Sequence, residues 1–167
     1  LGIEVSGHVP VDVSTFEALD LGHRTIEHMT GLQMSAAYNE EALRDSLSKG
    51  IRAIREDTPP DYSHKMFIAL EALPSHYIDP AKEDSLFAKL SQSDTWVVPT
   101  LLLQHMISYP DTPEFNQRDF SKYINHAWNT PSLTRDYKSK GRLRNTVNHR
   151  MRSLKKISDM GGKLMVG

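Results

Sequence analysis

Two histidines are the residues of this sequence best placed to do chemistry. His8 closes the stretch Val5-Ser6-Gly7-His8 before Val9-Pro10, and His28 sits in Thr25-Ile26-Glu27-His28-Met29. Both stretches read as short β-strands. Between them, Ser14 to Gly22 reads as a helix of about two turns. Ser14 with Glu17 forms a capping box, Phe16, Ala18 and Leu19 supply the apolar side, and Gly22 stands where a closing glycine belongs. Strand, helix and strand make a βαβ unit, whose strands are parallel and whose crossover is right-handed. That unit puts one imidazole at the carboxyl end of each strand, the edge where α/β proteins carry their sites.

Neutral imidazole is a ligand for borderline divalent metals. Adjacent strands lie about 4.8 Å apart, and two nitrogens on one zinc lie about 3–3.5 Å apart. Side chains from neighbouring strand ends can converge that far. A catalytic zinc takes three protein ligands, so the pair alone does not complete a site. On spacing alone, a strand-end histidine is more often a hydrogen-bonded structural residue than a ligand.

The rest of the chain supplies a scaffold for such an edge. Asn39 with Glu40 and Glu41 opens a predicted helix that runs through Lys49 and closes at Gly50. Pro59-Pro60-Asp61 opens another, stopped by Pro74, and Asp79-Pro80 opens a third carrying Leu86, Phe87 and Leu90. Residues 34–92 thus read as a helical insertion between strands. Thr95 to Thr100 is the next predicted strand, with Leu101-Leu102-Leu103 extending its apolar run. Residues 104–140 are polar and punctuated by prolines, as a substrate-side loop, a loose lid or an oligomer contact would equally be. Gly141 to Met160 is a predicted helix with Leu143, Val147, Met151, Leu154 and Ile157 on one side, ended by Gly161-Gly162. Lys163 to Gly167 opens a fourth strand. Strands alternating with helices favour a parallel sheet in an α/β fold, expected as a single domain over 1–167.

Composition excludes several classes. The 167 residues carry 20 basic and 21 acidic side chains, a formal net charge of −1, so no nucleic acid or anionic membrane partner is expected. Mean hydropathy is −0.49, and no apolar run approaches the roughly 20 residues of a membrane span. With no cysteine there is neither a disulfide framework nor a thiolate metal site. The sequence starts at Leu1 without an initiator methionine or signal peptide, so the native N-terminus is expected upstream and localisation is not read from it.

Other residues weigh less. Lys138, Lys140, Arg142, Arg144, Arg150, Arg152, Lys155 and Lys156 read as the solvated face of the last helix. His23 reads as structural, and Glu27 as packed or paired against the helix layer, because adjacent strand residues point to opposite faces. His64, His76, His126 and His149 read as solvated. Thr100 and His105, after the third strand, are candidate substrate contacts. Tyr109 and Trp128 are aromatic loop anchors more readily than pocket walls.

The wording of four segments resembles one family. Ser6-Gly7-His8-Val9-Pro10 and Thr25-Ile26-Glu27-His28-Met29 look like the fifth and sixth strands of the amidohydrolase superfamily, nearest its imidazolonepropionase-like and prolidase-like members. Trp96-Val97-Val98-Pro99-Thr100-Leu101 resembles the seventh strand, and Gly161-Gly162-Lys163-Leu164-Met165-Val166-Gly167 the approach to the eighth. The resemblance implies a partial (β/α)8 TIM barrel, its strands five to eight, with helical insertions at about 34–92 and 104–140. It implies that His8 and His28 hold a divalent metal, most simply Zn, or orient water beside one. It implies hydrolysis of amide or other C–N bonds in a small or peptide-like substrate by metal-activated hydroxide. The remaining ligands would lie upstream of Leu1, and the general-base aspartate just after Gly167. The isolated chain is therefore expected to be inactive. The alternative is a non-catalytic, structural or self-associating α/β module, since half a barrel leaves open edges and an uncovered face.

Overall fold

The computed structural model describes residues 4–54, 72–109 and 137–166. Their order is β1 (Ser6–Gly7), α1 (Thr15–Asp20), β2 (Thr25–Glu27), α2 (Leu32–Ser35), α3 (Glu40–Arg52), a 3₁₀ turn (Leu73–His76), α4 (Pro80–Ser91), β3 (Trp96–Val98), α5 (Leu101–Ser108), α6 (Tyr137–Asp159) and β4 (Lys163–Leu164). The four strands form one parallel sheet in the order β1-β2-β3-β4. Every strand therefore neighbours its successor in the chain, and right-handed crossovers then put all the connecting helices on one face.

Register and burial agree with that. Gly7, Ile26, Val97 and Leu164 lie in one row across the sheet. Ile26, Val97 and Leu164 pack into the main core with Ala18 and Leu19 of α1, Leu32 of α2, Leu86, Phe87 and Leu90 of α4, and Ile157 of α6. The alternate row of Ser6, Thr25, Trp96 and Lys163 stays out of that core. Trp96 is 40% exposed and Met165, two residues after Lys163, is 45% exposed. The sheet thus has a helix-covered face and an open one.

Two of the predicted N-caps recur in the structure, but the expected Ser14–Glu17 capping box does not form. The Ser14 hydroxyl accepts from the Phe16 N–H at 3.3 Å. Asp79 accepts from Ala81 and Lys82, and Pro80 follows at the first helical position. Helix α1 ends in a Schellman turn: Gly22 N–H donates to Leu19 O and His23 N–H to Ala18 O, with Gly22 at φ 77. Helix α6 ends in the same way at Gly161-Gly162, whose N–H groups donate to Ser158 and Ile157.

Five expectations are corrected. Gly50 does not close α3, which continues to Arg52; the Asn39 side chain makes no capping bond. Leu101-Leu102-Leu103 begins helix α5 and does not extend β3, because Pro99 ends the ladder and Thr100 turns the chain with φ 47. Helix α6 begins at Tyr137, ahead of Gly141, and Met151 is exposed on it. The short helix α2 was not predicted. The helix expected after Pro59 and most of the 104–140 insertion lie outside the described residues. Among the described residues no helix is long and apolar enough to cross a membrane.

Candidate functional site

His8 and His28 directly follow β1 and β2, two hydrogen-bonded neighbours. Their ring centroids lie 5.0 Å apart with the planes inclined by 62°. His8 is exposed and His28 half-buried. The backbone holds each one. The His28 N–H donates to Val98 O at 2.8 Å, extending the β2–β3 ladder by one bond. The His23 ring nitrogen Nε2 lies 3.2 Å from Gly7 O, the carbonyl just before His8. A carbonyl only accepts, so His23 carries its proton on Nε2. His23 is buried, and the Thr95 hydroxyl donates to its own carbonyl at 2.5 Å. Its structural role thus consists of tying down the residue ahead of His8.

Left-handed backbone gathers at the same edge. Among the described residues, the non-glycine positions with positive φ are His28 (55), Met29 (60) and Thr100 (47). All three follow β2 or β3. Such a conformation costs about 1–2 kcal/mol per L-residue, and strain of this kind clusters at functional sites. The two histidine loops also touch. Gly31 has φ 88, and a Cβ there would sit 3.0 Å from both Val9 Cβ and Thr15 Oγ1. Only glycine lets the loop after His28 lie this closely against the residue after His8.

The ring spacing is that of an edge-to-face pair, and it is also compatible with two ligands sharing one ion. Two imidazoles bonded to one metal at about 2.0–2.1 Å and a tetrahedral angle have their centroids about 5 Å apart. Among the described residues, no group of three or more histidine, aspartate or glutamate side chains is placed to hold a metal. A third ligand would therefore have to come from beyond them. Comparison with known proteins returns no matching family model, no matching curated protein and no matching solved structure. The resemblance to amidohydrolases accordingly rests on the four segments quoted above.

Glu27 needs correction. Ile26 is the β2 residue that faces the helices, and Glu27 lies with Thr25 on the open face. The Thr25 hydroxyl donates to Glu27 Oε1 at 3.2 Å and accepts from Gly7 N–H at 3.1 Å. The strand ends at Glu27, so strand alternation does not relate it to His28. This carboxylate thus belongs to the same sheet face as the exposed Trp96.

Thr100 sits at the carboxyl end of β3 as the residue before α5, half-buried. His105 stacks on Tyr109, with centroids 4.6 Å apart. The Arg144 guanidinium lies 4.9 Å above the same Tyr109 ring, and Tyr109 Oη donates to Asn148. Tyr109 thus anchors α5 to α6. His64, His126 and Trp128 lie outside the described residues, and His76 is exposed.

His149 is not solvated as expected; it lies inside a polar network between α2, α4 and α6. Its Nε2 is 3.3 Å from Glu83 Oε1, and its Nδ1 is 3.0 Å from Gln33 Nε2. Arg150 Nε donates to Gln33 Oε1, which fixes the amide so that its NH₂ faces His149. Nδ1 is then an acceptor, and the ring proton on Nε2 points at Glu83. The Ser153 hydroxyl donates to Glu83 Oε1 at 3.2 Å, and Lys156 donates to Glu83 Oε2 at 3.1 Å and also bonds Asp84. Burial pushes the Glu83 carboxyl up, but the bonds from His149 and Lys156 outweigh it and hold it below the ordinary range. The basic run of α6 is thus divided: Arg150 and Lys156 turn inward, and Arg152 and Lys155 stay exposed. Polar residues at 146, 149, 150 and 153 interleave with Val147, Leu154 and Ile157, and this was the available signal.

Proposed function

We propose that this chain is the strand-five-to-eight half of a (β/α)8 barrel in a metal-dependent amidohydrolase, with His8 and His28 as two ligands of a divalent metal, most simply Zn. The observation that carries the reading is the imidazole pair, 5.0 Å between centroids, at the carboxyl ends of neighbouring parallel strands. Two further features support it: the sequential strand order with helices on one face, and the left-handed residues gathered at that edge. The chemistry such an ion supplies when bound is acidification of water and polarisation of a carbonyl. The chain's own part is to orient two imidazoles, His8 through the His23–Gly7 bond and His28 through its bond to Val98. Glu27, on the open face, is available to hold a proton or a water there. The substrate class is a small or peptide-like amide, with Thr100 at the rim. With two of the required ligands, the isolated chain is expected to bind metal weakly and to turn nothing over.

The test is a titration of the chain with Zn²⁺ at millimolar concentration, followed by NMR of the imidazole protons. His8 and His28 are expected to respond together, and His8→Ala to remove the response of His28. A His28 signal that ignores Zn²⁺, or responds equally in His8→Ala, overturns the assignment.

The open sheet face favours a second reading, a self-associating module. Trp96 and Met165 are exposed there, and β1 and β4 are unpaired edges among the described strands. Sedimentation is expected to show a mass rising with concentration, and Trp96→Lys to lower it. A clean monomer at high concentration counts against this reading.

A further inference from the structure

The polar network between α2, α4 and α6 is built for a neutral His149. Gln33 Nε2 donates to the ring Nδ1 at 3.0 Å, and the ring Nε2 lies 3.3 Å from Glu83 Oε1. Gln33 cannot turn over to serve a protonated ring. Its Oε1 already accepts from Arg150 Nε at 3.3 Å, and a guanidinium only donates. Once Nδ1 carries a proton, the amide NH₂ meets a donor whichever way it points: Nδ1–H as it stands, Arg150 Nε–H when flipped.

The protonated ring has another acceptor. Ser153 Oγ lies 3.3 Å from Nδ1, and its own proton goes to Glu83 Oε1 at 3.2 Å, which leaves its lone pairs open. Glu83 then matches the imidazolium charge on the other side, and it stays ionised because its carboxyl is held below the ordinary range. The charged and titratable groups on the other elements packed against α6 are engaged or exposed. Asp84 of α4 bonds Lys156, His105 of α5 and Arg144 gather on Tyr109, His76 of the 3₁₀ turn is exposed, and Lys163 of β4 pairs with Asp94. Protonation therefore satisfies His149 and strands the NH₂ of Gln33, which is 5% exposed. A buried donor without an acceptor is costly, so Gln33 must move.

That movement has a direction. The carboxyl end of α2 is anchored, because Ser35 Oγ accepts from Thr15 N–H at 2.8 Å and from Arg44 at 2.9 Å. The other end starts at Gly31, three residues after His28, where residues 28, 29 and 31 all have positive φ. We propose that the Gln33–His149 contact is a pH-sensitive latch, closed on the neutral ring and opened by its protonation, which shifts the Gly31 end of α2 and the loop that carries His28. The latch acts whether or not the histidine pair holds a metal.

The experiment is an NMR titration of the 167-residue chain without metal, from about pH 8 to about pH 5.5, the range in which imidazole changes charge. The Gly31 backbone N–H and the Gln33 side-chain NH₂ are expected to shift with the same midpoint as the His149 ring. His149→Gln is expected to abolish that component at Gly31 although His28 is still present, which separates the latch from titration of His28 itself. In Gln33→Glu the carboxylate accepts from Arg150 and from Nδ1–H alike, so the Gly31 component following His149 is expected to vanish there too. That variant decides the question if His149→Gln does not fold. A Gly31 signal that stays flat or follows another midpoint, or a response undiminished in His149→Gln or in Gln33→Glu, overturns the proposal.

Discussion

Glu83→Ala is expected to destabilise the chain by about 1–3 kcal/mol, as leaving buried donors without their acceptor does. Glu83 is 8% exposed and accepts from three side chains on α6. Without it, the Nε2–H of His149 and the hydroxyl of Ser153 lose their acceptor in a site that is largely buried. Lys156 keeps Asp84 and suffers less. The loss should depend on pH in a definite direction. The Glu83 carboxyl is held below the ordinary range in the folded chain, so its contribution is fully present above the unfolded value of about 4.3 and fades as pH falls through the lower folded one. Glu40, also lowered because Lys82 and Arg44 outweigh its burial, adds acid sensitivity that the variant retains. Urea melts of both proteins at pH 7 and pH 3 check this. The gap between wild type and Glu83→Ala should shrink at pH 3; a gap under about 1 kcal/mol at pH 7, or one that widens in acid, contradicts the network.

That network also marks where the sequence stops being readable. Elements announced by local chemistry were legible: Ser14 before α1, Asp79-Pro80 before α4, Gly22 and Gly161 after their helices, and the β-branched and aromatic run Trp96-Val97-Val98. Each is fixed by its own neighbours. The Leu101-Leu102-Leu103 run was not, because a short apolar run fits a strand or a buried helix equally, and here the left-handed turn at Thr100 decides. Nor was His149. Periodicity finds the apolar stripe of a helix, and a histidine beside that stripe is read as solvated unless its partners are known. Gln33 and Glu83 are distant in sequence, and Gln33 lies on a helix too short to announce itself. The histidine pair was legible for the opposite reason: the βαβ connection is compact, so two adjacent strand ends follow from topology alone. Glu27 was misplaced because the alternation was carried one residue too far, past the end of β2 into a residue with φ 55.

The same φ sets up the second large effect, in which stability and binding part company. On the proposed metal reading, His28→Gly is expected to abolish divalent-ion binding at the pair, at least about a tenfold loss, since losing even a partner that only orients a metal ligand costs that much. Glycine at this position adopts the left-handed backbone freely, which relieves about 1–2 kcal/mol of strain. Against this stands the greater freedom of glycine in the unfolded chain, about 0.4–1 kcal/mol. The ring of His28 is half-buried and lies edge-to-face with the His8 ring, so little packing is lost. The backbone bonds to Val98 O and from Gln104 to the carbonyl of residue 28 do not involve the ring and survive. Folding stability should therefore hold or rise by up to about 1 kcal/mol while Zn²⁺ binding disappears. His28→Ala keeps the strain and loses the ring, so it should be the less stable of the two. Urea melts paired with Zn²⁺ titration separate the cases. If His28→Gly is less stable than His28→Ala, the histidine serves the fold; if it is more stable and does not bind Zn²⁺, the left-handed conformation is a cost the fold bears to aim an imidazole at its neighbour.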